Sequence, residues 1–179
     1  MKKRLLLDSG LTRIILERIA LQITENNGNL ENCALIGMQP RGTQLARKLK
    51  EIITKITGNQ HILYGELDST FYRDDFRHSD KILVPNAINI NFIIEDKTVI
   101  LVDDVLYTGR SVRSSLNALG DFGRPAKIEL MTLVDRKFNR ELPIQPNYVG
   151  EEVDTRANDR VEVNWHENYS TPEVWLITE

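Results

Sequence analysis

Two adjacent carboxylates, Asp103 and Asp104, follow the apolar run Val99-Ile-Leu-Val102 and precede Val105-Leu106-Tyr107-Thr108-Gly109-Arg110-Ser111. The apolar run reads as a buried strand ending at the acidic pair. In open α/β sheets, ligands sit just outside the carboxyl ends of strands. Ionised carboxylates accept hydrogen bonds from vicinal hydroxyls, and one or two of them hold Mg²⁺ together with phosphate oxygens. Thr108, Gly109 and Ser111 add hydroxyls and backbone N–H groups just before a helical pattern, a setting that binds a phosphate. A bare Asp-Asp is more often an acidic surface turn. The ordered run of strand, carboxylates, turn and helix points instead to a ligand carrying both hydroxyls and a phosphate. The Gly-Lys-Thr/Ser element of a Walker A loop and the Gly-x-Gly-x-x-Gly dinucleotide fingerprint are absent from this stretch.

The elements that must position these residues are legible from periodicity. Leu11, Ile14, Ile15, Arg18, Ile19 and Ile23 follow helical spacing, with Asp8 or Ser9 as cap and Asn26-Asn27-Gly28 as stop. Cys33 to Met38 reads as a short buried strand. After Gln39-Pro40-Arg41-Gly42 comes a helix with Leu45, Leu49, Ile52, Ile53 and Ile56 on its apolar face, stopped by Gly58-Asn59. His61 to Tyr72 reads as a strand, and Arg73 to Lys81 as a polar loop able to act as a lid. Ser111 to Leu119 is a helix and Lys127 to Val134 a strand. Short strands are expected around Tyr148-Val149, Val161 to Val163 and Val174 to Ile177. Alternating strands and helices predict an α/β fold with a mainly parallel sheet. The C-terminal third reads as an accessory β element across the strand ends.

Composition sets the frame. The chain has 179 residues, 41% hydrophobic and 27% charged, with net charge −3. This fits one globular domain and carries no global basic signature for nucleic acid. Cys33, the only cysteine, reads as a buried strand residue. No apolar stretch nears the ~20 residues of a membrane span. The apolar run behind the basic start, Leu5-Leu6-Leu7, is too short for a signal peptide. No membrane association and a cytoplasmic location are expected. His61, His78 and His166 show no metal-ligand spacing.

Val99 to Ser111 resembles the phosphoribosyl-pyrophosphate (PRPP) motif of type I phosphoribosyltransferases. Ala34-Leu-Ile-Gly37 followed by Arg41-Gly42 resembles the first strand and pyrophosphate loop of the PyrR family within that superfamily. Leu67-Asp-Ser-Thr-Phe-Tyr72-Arg73-Asp74-Asp75 resembles its flexible-loop segment. Leu133-Val-Asp135-Arg136, Arg140-Glu-Leu-Pro143-Ile and Asn147-Tyr148-Val149-Gly150 resemble its stretch beside the base. The segments occur in the family's order along nearly the whole chain. The resemblance implies one phosphoribosyltransferase domain over residues 1–179, with a mainly parallel central sheet flanked by helices and a small β hood. It implies a uracil phosphoribosyltransferase of pyrimidine salvage, converting uracil and PRPP to UMP and pyrophosphate with Mg²⁺. By the same resemblance, Asp103 and Asp104 hold the ribose hydroxyls and help place Mg²⁺. Val105 and the stretch from Leu106 to Ser111 complete the PRPP site. Gln39, Pro40, Arg41 and Gly42 form the pyrophosphate loop, and Arg73 closes over the diphosphate. Val134, Asp135, Arg136 and Val161 line the uracil pocket. A homo-oligomer is also implied; the sequence itself offers only Trp165, Trp175 and the apolar first helix as interface material.

Three features depart from the family pattern. Gln39-Pro40 replaces the usual Lys-Thr, removing a charge from the pyrophosphate loop. Arg136-Lys137-Phe138-Asn139-Arg140 is one residue longer than Arg-Gly-His-Arg, which predicts a displaced Arg140. Gly150-Glu151-Glu152-Val153-Asp154-Thr155-Arg156 is acidic where the family's RNA-associated segment is neutral and basic. Phosphate contacts supply much of RNA affinity, so the family's second role, binding pyrimidine-operon mRNA to regulate transcription, is opposed at this segment. Two alternatives stand beside the uracil enzyme: a phosphoribosyltransferase for another base, and a non-catalytic regulator sensing UMP or PRPP. Bland readings stand too, with Arg41 as a solvated helix-start residue and Asp135-Arg136 as a local ion pair.

Overall fold

The computed structural model describes residues 2–69, 89–165 and 171–178. Strand β2 (Cys33–Met38) is buried along its whole length, as expected of a central parallel strand covered on both faces. It pairs in parallel with β3 (Leu63–Leu67) and β4 (Thr98–Leu106). Beyond β4 lie β5 (Lys127–Lys137) and β6 (Tyr148–Asp154), giving a five-stranded parallel sheet of order β3-β2-β4-β5-β6. The remainder of His61 to Tyr72 beyond Ser69, and the lid segment from Arg73 to Lys81, lie outside the described residues.

Helix α1 (Ser9–Asn27) starts where the Leu11 amide donates to Asp8 Oδ1 at 2.7 Å, a side-chain N-cap. Helix α2 (Gly42–Thr57) stops where left-handed Gly58 donates its N–H to the Thr54 carbonyl, the usual glycine C-cap. Both helices cover one face of the sheet, packing Ile19, Ile23, Leu45, Leu49 and Ile53 against Leu35, Ile100, Val102, Met131 and Leu133. Helix α3 (Arg110–Leu119) covers the other, with Val112 and Leu119 against Ile36, Val99, Leu101 and Leu130. Each fully buried Leu or Ile contributes about 1.5–3 kcal/mol. No helix of the described residues is long and apolar enough to cross a membrane.

The hood is a three-stranded antiparallel sheet of order β1-β8-β7, made of β1 (Lys2–Leu7), β7 (Arg160–Asn164) and β8 (Glu173–Thr178). Its Val161, Val163, Val174 and Leu176 join the same core cluster as Val134 and Val153, at the carboxyl ends of β5 and β6. The basic start, which shows no strand period of its own, is the edge strand of this hood. Pairing with β8 from Lys2↔Thr178 to Leu7↔Val174 makes it a strand.

Strand β4 runs past the predicted end at Val102, and Asp103 and Asp104 lie inside it. The pairs Val105↔Val134 and Leu106↔Asp135 carry β4 and β5 onward together.

Candidate active site

The apolar alternation of β4 changes phase across the two carboxylates. Ile100 and Val102 pack in the cluster facing α1 and α2, while Val99 and Leu101 pack in the other. Beyond the pair, Val105 joins the first cluster and Leu106 the second. A regular strand sends neighbours to opposite faces. The slip lets two consecutive side chains reach one place, where the Asp104 amide donates to Asp103 Oδ1 at 2.9 Å. Burial pushes the Asp103 carboxyl well above the usual range, and the adjacent Asp104 charge adds to it. Burial also raises Asp104, against the opposing pull of Arg41 and of the Val105 amide. Two carboxyls this close disfavour each other's ionised form, and a nearby cation relieves that repulsion.

The cation at hand is Arg41. Its Nη1 lies 3.8 Å from Asp104 Oδ2, and its side chain is 58% exposed. It therefore faces solvent at the carboxyl ends of adjacent strands β2 and β4, whichever of its two readings applies. Gly42 makes the approach possible: a Cβ there would fall 2.2 Å from the Val102 carbonyl oxygen. The Gln39 amide donates to the Leu67 carbonyl at 2.9 Å, and the Pro40 carbonyl accepts from Thr43 Oγ1 at 3.0 Å. The Gln39-Pro40 peptide is cis. The Gln39 to Gly42 loop thus sits between the ends of β3 and β4.

After β4 the chain turns into α3 through Tyr107, Thr108 and Gly109. Gly109 has φ +91° and is the N-cap of α3, whose first turn holds no acidic residue, so the positive end of the helix has no local carboxylate on it. Ser111 is half-buried beside it and Arg110 is exposed, with its Nε 2.6 Å from Glu141 Oε2.

Val105 lies beside Val134 in register, and Val134 and Val161 share one core cluster. Arg136 is buried, its guanidinium 3.9 Å from the centre of the Tyr107 ring. It donates to Thr155 Oγ1 at 3.1 Å and to the Asp159 carbonyl at 2.8 Å. A cavity of about 400 Å³ opens here, lined in part by Tyr107, Arg136, Asp159, Arg160 and Glu162. Asp135 pairs with Arg140 rather than with its neighbour Arg136, which corrects the local-pair reading: adjacent strand residues face opposite ways. Arg140 is not displaced from the site by the longer loop, since it also donates to the Tyr107 carbonyl.

The structure therefore brings Arg41, Asp103, Asp104, the Tyr107 to Ser111 turn, Val134, Asp135, Arg136 and Val161 to one end of the sheet. Arg73 lies outside the described residues. Sequence reasoning missed Asp159, Arg160 and Glu162 as pocket lining; their only signal is adjacency to Val161. Among the described residues no group of three or more His, Cys, Asp or Glu gathers to hold a metal. Two adjacent carboxyls whose ionised forms repel each other fit a Mg²⁺ ion, of the kind that takes its remaining ligands from phosphate oxygens and water.

Known proteins resemble this chain in sequence and in fold. The phosphoribosyl transferase domain model matches residues 6–168. The chain is 48% identical over 162 residues to the bifunctional protein PyrR of Desulfosudis oleivorans, covering 90% of this chain and 89% of that protein. It is 45% identical over 168 residues to the bifunctional protein PyrR of Bacillus cereus, covering 93% and 92%. Among solved structures, a hypoxanthine phosphoribosyltransferase from Staphylococcus aureus superposes with TM-score 0.68 at 20% identity, covering 94% of this chain and 83% of that one. A hypoxanthine-guanine phosphoribosyltransferase from Bacillus anthracis gives TM-score 0.69 at 15% identity, covering 99% and 100%. At such identities the superpositions speak for the fold alone. The domain match, the two PyrR relatives and the five-stranded parallel sheet agree: the chain belongs to the PyrR family of the type I phosphoribosyltransferase superfamily.

Proposed function

We propose that the protein, read as one domain over residues 1–179, transfers the 5-phosphoribosyl group from PRPP to uracil, giving UMP and pyrophosphate. The observation that carries this reading is the Asp103-Asp104 pair at the carboxyl end of the sheet, with Arg41 Nη1 3.8 Å from Asp104 Oδ2 and the turn into α3 following at once. The reaction breaks the bond from ribose C1 to pyrophosphate and forms one from C1 to a ring nitrogen of uracil, whose proton is released to solvent. The ribose gains positive charge as the leaving group gains negative charge. Catalysis then depends on placing fixed charge and excluding water. Asp103 and Asp104 accept hydrogen bonds from the ribose hydroxyls and set negative charge below the developing cation. Arg41 and the Gln39 to Gly42 loop take the departing pyrophosphate. The turn from Leu106 to Ser111 holds the 5′-phosphate against the positive end of α3. Val134, Asp135, Arg136 and Val161 receive the base. Arg73, outside the described residues, is assigned to the diphosphate by the resemblance alone. Asp103 and Asp104 would hold Mg²⁺, which would supply charge neutralisation for the leaving group.

The mRNA-binding role that the resemblance implies is less favoured. Glu151, Glu152 and Asp154 are exposed on β6, and carboxylates repel an RNA backbone. The resemblance also supports a homo-oligomer, which light scattering tests.

The deciding assay is formation of UMP from uracil and PRPP with Mg²⁺, with hypoxanthine, guanine and orotate in parallel and Asp104→Asn as control. Uracil-specific turnover that collapses in the variant is expected. Turnover with a purine instead would reassign the base. PRPP or UMP binding without turnover would make the protein a regulator built on the same site.

A further inference from the structure

The segment after β5 grips the back of the phosphate turn. Arg140 donates through Nη1 to the Tyr107 carbonyl and through Nη2 to Asp135 Oδ1. The next amides, of Glu141 and Leu142, both donate to the Thr108 carbonyl, at 3.0 and 3.3 Å. Glu141 also pairs with Arg110. Leu142 and Ile144 back onto Gly109, where a Cβ would fall 3.2 Å from Ile144 Cδ1 and 3.5 Å from Leu142 Cβ. Two consecutive carbonyls of the turn, those of Tyr107 and Thr108, are thus drawn to one side by one segment.

This has a direct consequence for the other side of the turn. In a trans peptide unit the C=O and N–H point in opposite directions. The unit holding the Tyr107 carbonyl carries the Thr108 N–H, and the unit holding the Thr108 carbonyl carries the Gly109 N–H. Anchoring the two carbonyls to the 140–142 segment aims both N–H groups away from it, next to the start of α3. Successive N–H groups so aimed form an anion-binding concavity. Fixing them in advance removes an ordering cost from binding. Asp135 takes one edge of the Arg140 guanidinium and sets its direction, and Arg140 is mostly buried in the process, with its side chain 22% exposed.

Resting on the phosphoribosyl-transfer reading, we propose that Arg140 is a positioning residue: it braces the Tyr107 to Gly109 turn so that its amides face the 5′-phosphate, and does not itself bind that phosphate. Loss of the brace should therefore weaken ligands with a 5′-phosphate and spare those without one. The experiment is calorimetric titration of wild-type, Arg140→Lys and Arg140→Ala proteins with UMP, with PRPP and Mg²⁺, and with pyrophosphate and Mg²⁺, beside thermal melts. For Arg140→Ala, UMP and PRPP should bind on the order of tenfold more weakly, with pyrophosphate within about twofold of wild type. Arg140→Lys keeps the charge but not the fork, and should recover only part of the loss. It also serves as the test if the Ala variant does not fold. Equal weakening of all three ligands would make Arg140 merely structural and overturn the proposal. Wild-type affinity for UMP in Arg140→Lys would show that charge rather than geometry matters, and would overturn it equally. Failure of the wild-type protein to bind PRPP or UMP at all would overturn the phosphoribosyl reading, and this inference with it.

Discussion

The guanidinium of Arg136 stacks 3.9 Å from the centre of the Tyr107 ring, tying together two segments at the carboxyl end of the sheet. Arg136 is on β5 and Tyr107 is in the turn after β4. No backbone pairing links them, since the β4–β5 register ends at Leu106↔Asp135. Burial lowers the Arg136 pKa from its ordinary value, with Tyr107 and Asp159 opposing the shift. The group stays charged, because arginine starts far above neutrality.

Arg136→Lys should cost about 1–3 kcal/mol in urea unfolding. A lysine cannot span both Thr155 Oγ1 and the Asp159 carbonyl, so a buried acceptor loses its donor. An unchanged denaturation midpoint would refute the stacking and hydrogen-bond account.

Asp103→Asn should stabilise the fold while cutting phosphoribosyl transfer by orders of magnitude. The folded-state pKa of Asp103 is raised, by burial first and by Asp104 second. Its contribution is fully present below the unfolded value of about 3.9 and is lost as pH rises through the folded value. Ionising Asp103 in the folded protein is therefore a cost, which asparagine removes while keeping an acceptor for the Asp104 amide. A gain on the order of 1 kcal/mol corresponds to about 2–4 °C at this chain length. A variant that melts below wild type at pH 7 would contradict this sign.

Gly42→Ala should destabilise by about 1–3 kcal/mol and raise the KM for PRPP, since its Cβ meets the Val102 carbonyl at 2.2 Å. Either the loop or β4 must retreat, and Arg41 moves with it. Chemical denaturation and PRPP kinetics on the same preparation check both halves.

At the opposite end of the sheet, Glu129 is 2% exposed and accepts from Lys127, Tyr148 and Asn27. Burial alone would raise its pKa, but these donors outweigh it and hold the carboxyl below its ordinary value. The resulting stability is present above about pH 4.3 and is lost as pH falls through the folded value. Burial pushes the Tyr148 hydroxyl up to about 12, so it remains a donor. Tyr148→Phe should cost about 1–2 kcal/mol at pH 7 and markedly less at pH 3, by urea unfolding at both. A pH-independent cost would rule out the carboxylate as the partner that matters.

Gln39→Lys should lower the KM for PRPP a few-fold by returning a cation to the loop beside Arg41. Steady-state kinetics at varied PRPP decide it; a raised KM would show that the loop is built around the neutral side chain.

Much of this protein was legible one residue at a time. Asp8 caps α1, Gly58 closes α2, and the run from Cys33 to Met38 reads as a buried strand, because caps, stops and apolar runs act within a few residues of themselves. The turn into α3 was legible for the same reason: carboxylates, hydroxyls, glycine and helix start lie in one continuous stretch, Asp103 to Ser111. Tertiary structure decided what depends on pairing between distant segments. The start of the chain carries no strand period, yet β1 exists because β8 supplies hydrogen bonds to it. Asp103 and Asp104 fall inside β4 because β5 continues beside them. Arg140, which loop length alone would displace, reaches the Tyr107 carbonyl because β5 and the turn after β4 leave the sheet side by side. Asp135 turns to Arg140 and not to its neighbour Arg136 because adjacent strand residues face apart. Spacing along a chain reports local geometry; which carbonyl an arginine meets across the sheet is set by register, and register exists only in the folded protein.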